Sequence, residues 1–263
     1  MKTKTVVLWE GAVAPYTEYS PAQAQPSMTG YVAEGSVGAV LVCPGGGYGM
    51  KAEYEGVPVA KRLAEYGITA FSLDYRVAPC HRLAPLTDAQ RAIRLLREMG
   101  YRKVGILGFS AGGHLACTTV THADAGNPDS ADPIDRHSSR PDALVACYPV
   151  VSMGDFTHIG SRNNLLGEYA EDIEMQRKFS AELHIDKDSC PAFVWGTVND
   201  NLLGDRHLVE LVSAYARAGV HVTYHPYCHE PPGHGFGLAD GDPAVGNWSH
   251  LACKWLIGQG FAK

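Results

Sequence analysis

The pentapeptide Gly108-Phe109-Ser110-Ala111-Gly112 constrains this chain more tightly than any other segment. It follows the apolar run Val104-Gly105-Ile106-Leu107 and leads into Gly113-His114-Leu115-Ala116-Cys117, a run of small and apolar residues. That order predicts a strand, a sharp turn carrying serine, and a helix. A serine on so tight a turn takes a strained backbone conformation, and the glycines two residues either side let strand and helix pass it without a Cβ clash. The hydroxyl is left exposed above the sheet edge, where a nucleophile would stand. The competing reading is a glycine-rich turn whose serine caps the helix, since serine is a favoured cap. The strand before it and the helix after it favour the nucleophile.

The rest of the chain repeats the same alternation. Short β-branched apolar runs predict strands near Gly38–Cys43, Ile68–Leu73, Lys103–Leu107, Ala143–Cys147, Ala192–Gly196 and Val220–Tyr224, with one or two antiparallel strands before residue 37. Between them, amphipathic runs predict helices near Gly56–Tyr66, Pro85–Met99, Ala111–Thr121, Arg206–Ala218 and Gly246–Ile257. In Pro85–Met99 the apolar residues Leu86, Ala89, Ile93 and Leu96 recur at three- and four-residue steps, leaving Arg91, Arg94 and Arg97 on other faces. The fold class is therefore α/β, a mainly parallel central sheet with helices on both faces. At 263 residues the whole chain, 1–263, reads as one domain with a substantial core. Two segments break the alternation: Ala123–Pro141, rich in Asp, Ser, Pro and Gly, reads as a long exposed loop, and Phe156–Leu183 is a polar, partly helical insertion that is expected, by fold analogy alone, to form a small partial lid.

Composition narrows the partners. Apolar residues make up 45% and charged residues 19%, and no stretch approaches the ~18 consecutive apolar residues that a membrane span needs. The N-terminal run Val6-Val7-Leu8-Trp9 is too short for a signal-peptide core and ends at Glu10. Seven cysteines without a C-x-x-C pair argue against a disulfide framework or a zinc knuckle, and a reducing cytoplasm fits them. A net charge of -6 with mixed signs offers no basic stripe for nucleic acid and no polybasic patch for a membrane. The expected partner is a small neutral molecule, and homo-oligomer formation is left open.

Three further segments supply the parts that a serine nucleophile needs. Cys43-Pro44-Gly45-Gly46-Gly47-Tyr48-Gly49 follows a strand, and Gly45, Gly46 and Gly47 can present backbone N–H groups to a developing oxyanion. A phosphate cradle is the competing reading, but neither G-x-x-x-x-G-K-[ST] nor G-x-G-x-x-G is matched. The second donor is expected from Ala111, the residue after the nucleophile. Among twelve histidines, His234 lies in the glycine-flanked loop Gly233-His234-Gly235-Phe236-Gly237, after the last strand and before the final helix. His229 and His114 are its rivals, the first in a loop and the second on the helix after the serine. The acid is expected in the loop after Ala192–Gly196, with Asp200 leading; Asp205 at the start of the next helix and Asp155 after the preceding strand are the alternatives. Tyr48, beside the glycine turn, is a candidate substrate-binding residue, with structural packing as its other reading.

With these segments assembled, the chain resembles bacterial α/β-hydrolase fold esterases of the acetylesterase and acetyl-xylan-esterase-like family. The resemblance is carried by the glycine turn and the serine and histidine segments above, together with Glu55-Gly56, Leu73-Asp74-Tyr75-Arg76-Val77-Ala78-Pro79, Pro85-Leu86-Thr87-Asp88-Ala89-Gln90-Arg91-Ala92, Tyr148-Pro149-Val150 and Asn164-Leu165-Leu166-Gly167. It implies a triad of Ser110, Asp200 and His234, oxyanion donors from the Gly45-Gly46-Gly47 turn and Ala111, and hydrolysis of a short acyl ester, acetyl on a carbohydrate or similar alcohol. No cofactor and no metal are expected. The chain departs from the family where Asn199-Asp200 is followed by Leu203-Gly204 rather than by a proline. It departs again in Cys228-His229-Glu230-Pro231-Pro232, a long loop expected to reshape the acyl pocket. Three rivals remain: a small prolyl-oligopeptidase-like peptidase, a non-catalytic binding protein of the same fold, and a metal hydrolase using Cys80, His81, Cys228, His229 and His234, for which no metal-site spacing is present.

Overall fold

Strands β3 (Gly38–Cys43), β4 (Thr69–Asp74), β5 (Lys103–Phe109), β6 (Ala143–Cys147) and β7 (Ala192–Thr197) lie side by side and parallel, with β8 (Val222–Tyr227) at one edge. At the other edge β2 (Ser27–Val32) pairs antiparallel with β4, and β1 (Lys2–Val7) with β2, which completes the order β1-β2-β4-β3-β5-β6-β7-β8. The computed structural model describes residues 2–262.

The central strands are continuous apolar runs because both of their faces are covered. Alternate residues of β3 go to opposite layers. Leu41 and Cys43 pack with helices α2 (Ala84–Glu98), α3 (Ser110–Thr121) and α6 (Arg206–Ala218), while Val40 and Val42 pack with α1 (Val57–Glu65) and α7 (Trp248–Gly258). The α/β architecture is the one the alternation predicts.

β5 runs on to Phe109, and β8 and α7 also depart from the sequence expectation. β8 starts at Val222 and runs on through Pro226 to Tyr227, because β8 is an edge strand and a proline there can turn its hydrogen-bond-free nitrogen away from β7. α7 starts at Trp248, since the preceding turn is capped by Asp242, whose Oδ1 accepts from the N–H groups of Ala244 and Val245.

The expected exposed loop Ala123–Pro141 is fastened to α2. Asp132 and Asp135 pair with Arg91 at 2.8 and 3.0 Å, Asp124 pairs with Arg94 at 2.5 Å, and Pro133–Arg136 forms a short 3-10 turn. The arginines that α2 keeps off its core stripe are the anchors of this segment. The insertion after β6 forms α4 (Ile159–Leu166) and α5 (Ile173–Lys178). Among the described residues, no helix is long and apolar enough to cross a membrane.

At the end of β4 the backbone is tied to α2 by a buried ion pair. The Arg76 Nη2 donates to Asp88 Oδ1 at 2.6 Å, the Arg76 N–H donates to Asp88 Oδ2 at 2.9 Å, and a second guanidinium nitrogen donates to the Pro15 carbonyl. Removing one partner of such a pair strands the other charge in the core, at a cost of about 3–5 kcal/mol. Arg76→Met is therefore expected to lose that much stability in a urea unfolding curve. Arg76→Met combined with Asp88→Leu is expected to recover part of it.

Candidate active site

The residue after β5 is Ser110, and its φ of 51° lies in the left-handed region. The strain is held by close backbone contacts that only glycine permits. A Cβ on Gly108 would lie 2.0 Å from the Gly112 carbonyl oxygen, one on Gly112 would lie 2.2 Å from that of Cys43, and one on Gly113 would lie 2.7 Å from the Pro149 Cβ. Phe109, not Ser110, occupies the position before the first turn of α3, and no side chain caps that turn. The serine hydroxyl is free for another partner.

That partner is His234. The Ser110 hydroxyl lies 2.8 Å from His234 Nε2, and His234 Nδ1 lies 2.6 Å from Asp200 Oδ2. Asp200 Oδ1 accepts from the N–H groups of Leu202 and Leu203 at 2.8 and 2.9 Å, so the carboxylate is fixed from both sides. Burial alone would raise its pKa; the hydrogen bond and charge interaction with His234, with the Leu203 and Leu202 N–H groups, outweigh that and hold it below the usual range. Asp205 and Asp155 are both exposed and take no part in this chain of hydrogen bonds.

Neither rival histidine is placed to serve. His114 is fully buried, its Nδ1 facing the Tyr48 hydroxyl at 2.8 Å and its Nε2 the Phe179 carbonyl at 2.6 Å, and burial pushes its pKa down to about 4. His229 pairs with Asp242 at 2.8 Å, and its backbone is held by Asn199. The loop Cys228–Pro232 is thereby fastened away from the cavity above Ser110 and does not line it. Cys80, His81, Cys228, His229 and His234 do not come together: His81 stacks on Tyr16, and no group of three or more potential ligands forms among the described residues.

The glycine turn needs two corrections. Gly45 N–H donates to Glu55 Oε2 at 2.8 Å and is withdrawn from the set of donors. What Gly45 supplies is space, since a Cβ there would lie 2.6 Å from that carboxylate and 3.0 Å from the Ser110 Cβ. The N–H groups of Gly46, Gly47 and Ala111 donate to no other described residue. Tyr48 is almost wholly buried behind the turn, bonded to His114 and edge-on to Tyr75, so it packs the core instead of lining the cavity.

A family model, BD-FAE, matches residues 30–214. The chain belongs to the BD-FAE family. It is 36% identical to the acetyl ester-xyloside bifunctional hydrolase from Caldicellulosiruptor lactoaceticus, with a TM-score of 0.92 over 99% of this chain and 97% of that one. It is 35% identical over 178 residues to endo-1,4-beta-xylanase B of Butyrivibrio fibrisolvens, and 29% identical over 210 residues to an acetylxylan esterase of Xylanibacter ruminicola. Those matches take in 62% and 76% of this chain but only 27% and 41% of the two relatives' lengths. The fold is that of the α/β-hydrolases.

Within this BD-FAE fold, the cavity above Ser110 has a volume of about 450 Å³, within the range of small-molecule sites. Gly46 and Gly47 form one wall, His234 and Gly235 another, and His158 and Asn164 from the insertion a third. Asn164 Nδ2 donates to the Gly47 carbonyl at 2.8 Å and fixes the orientation of the glycine turn.

Glu55 and Tyr148 belong to the motifs that carry the family resemblance, but the sequence marks neither with a role. In the structure both are buried and connect the two halves of the site. Glu55 accepts from the Gly45 N–H and, at 2.6 Å, from the Tyr148 hydroxyl; that hydroxyl accepts from the Gly237 N–H at 2.8 Å, and the Gly237 carbonyl accepts from the Trp248 ring at 2.9 Å. Burial raises the Glu55 pKa, offset in part by the Tyr148 and Gly45 hydrogen bonds and by its interaction with His234. The local sequence, with Lys51 and Glu53 close by, gives no signal that Glu55 is buried, since its partners lie ten residues before and 93 residues after it. Glu55→Ala leaves a buried N–H and a buried hydroxyl without an acceptor, each costing about 1–3 kcal/mol. Urea denaturation should show a loss of that order, with a smaller loss for the isosteric Glu55→Gln.

Proposed function

We infer that this chain hydrolyses short acyl esters through Ser110, and that its natural substrates are acetyl esters of carbohydrates or related alcohols. The observation that carries the reading is the unbroken hydrogen-bonded chain from Ser110 through His234 to Asp200 at the floor of a small cavity. His234 Nε2 takes the serine proton as Ser110 Oγ attacks the ester carbonyl. Asp200 holds the other ring nitrogen as its N–H donor and stabilises the imidazolium that forms. The oxyanion is held by the N–H of Ala111 and by N–H groups of Gly46 and Gly47, since that of Gly45 is engaged. His234 returns the proton to the leaving alcohol, and water then releases the acyl group from Ser110 by the reverse sequence.

Acetyl as the acyl group is supported by the names of the acetylxylan esterase and the acetyl ester-xyloside hydrolase. Carbohydrate as the alcohol rests on those names alone. The residues Phe156–Leu183 act as a partial lid in this reading, supported by His158 and Asn164 in the cavity wall, and the chain acts as one domain.

Acetate release from acetylated xylo-oligosaccharides, with an aryl acetate in parallel, tests the reading. Wild type should turn over both, Ser110→Ala should lose at least about 10³-fold on both, and Asp200→Asn should lose about 10⁴-fold in kcat, the scale seen when the acid of such a triad is neutralised. Turnover of the aryl acetate alone would retain the mechanism and discard the sugar, and full activity in Ser110→Ala would discard the mechanism. A fluorophosphonate should label wild type and leave Ser110→Ala unlabelled.

A further inference from the structure

A second concavity, larger than the one above Ser110, opens on the same rim of the sheet. It has a volume of about 790 Å³ and is lined by Lys51, Glu53, Tyr54, Val57, Ser72 and Asp74, among others. Tyr54 lines both concavities and stands as the wall between them. Its ring rests on the histidine loop: a Cβ on Gly237 would lie 2.7 Å from Tyr54 Cδ2, and one on Gly235 would lie 3.0 Å from its hydroxyl. Tyr54 is nonetheless 52% exposed.

Position and chemistry together restrict the occupant. The groove sits at the carboxyl end of β4, two strands from β5 and Ser110, which places it about 10 Å away at ordinary strand spacing. A ligand group there would lie beyond the unit that carries the reacting ester. Lys51 is paired with Asp74 at 2.6 Å and donates to the Tyr75 carbonyl at 2.8 Å, so among the described lining residues the groove offers no free cation for an anionic ligand. Its rim carries Glu53, Asp74 and the Ser72 hydroxyl as hydrogen-bonding groups, and Tyr54 and Val57 as exposed apolar surface. An aromatic face among hydrogen-bonding side chains suits a neutral polyhydroxylated chain, whose ring faces are apolar and whose edges are polar.

We propose that this groove is a glycan subsite: it holds sugar units adjoining the acylated one, with Tyr54 as the platform over which the chain passes into the cavity. The proposal rests on the carbohydrate-ester reading above and extends it from a single acetylated sugar to an oligosaccharide. Hydrolysis would then favour acetyl groups on chains over those on single sugars.

Kinetics on acetylated xylose and on acetylated xylo-oligosaccharides of increasing length provide the test, each referred to an aryl acetate. In wild type, kcat/KM is expected to rise with chain length by about tenfold, carried by KM, an increment of about 1.4 kcal/mol. Val57→Trp, which fills the groove, and Tyr54→Ala, which removes the platform, should each abolish the rise and lower the ratio of oligosaccharide to aryl acetate turnover. The two variants act by opposite changes of volume, so failure of one to fold leaves the other informative. Sugar acetates hydrolysed with no dependence on length, or a length dependence that survives both substitutions, would overturn the subsite while leaving the carbohydrate reading in place. Absence of all sugar turnover beside active aryl acetate hydrolysis would overturn the carbohydrate reading, and the subsite with it.

Discussion

Three stretches of backbone meet beside Ser110 at distances that exclude any Cβ. The turn after β5 doubles back so closely that Gly108 abuts the Gly112 carbonyl, Gly112 abuts the carbonyls of Cys43 and Pro44, and Gly113 abuts Pro149. This contact welds the ends of β3, β5 and β6 into one rim. It also holds Ser110 at a positive φ, a conformation that costs of order 1–3 kcal/mol unless its surroundings enforce it. The glycine turn, the serine and the cavity above them are placed by that single constraint.

The histidine loop is brought to the same rim by different means. Its glycines pack under Tyr54, its Gly237 is gripped through Tyr148 and Trp248, and Tyr148 hands the connection to Glu55 and Gly45. A buried carboxylate with no cation beside it is costly, and here each of its oxygens accepts a hydrogen bond. The network therefore couples the glycine turn to the loop that carries His234. The 2.8 Å contact between Ser110 and His234 tolerates little movement of that loop relative to the turn that carries the serine.

Much of this was legible before any coordinates. Continuous apolar runs identify strands buried on both faces, and the spacing of Leu86, Ala89, Ile93 and Leu96 identifies the buried stripe of α2. What spacing could not say is what the other side of that helix meets. Arg91, Arg94 and Arg97 fall on other faces of the helix in the sequence pattern, and in the structure they fasten an aspartate-rich segment that reads as a long exposed loop. Charge pairing between distant segments leaves no periodic trace in either one.

The sequence by itself determined the local chemistry: a serine that must sit on a strained turn, glycines that must flank it, a histidine in a glycine-rich loop, and strands that must be covered twice. These follow from backbone sterics and periodicity, which act over a few residues. The tertiary structure alone decided which of Asp155, Asp200 and Asp205 meets His234, that Gly45 gives its N–H to Glu55, and that Tyr48 turns into the core toward His114. It also decided that the loop at 228–232 is held away from the cavity. Each of these is a choice among partners separated by tens of residues, settled by which side chains the packed sheet and helices bring within hydrogen-bond reach.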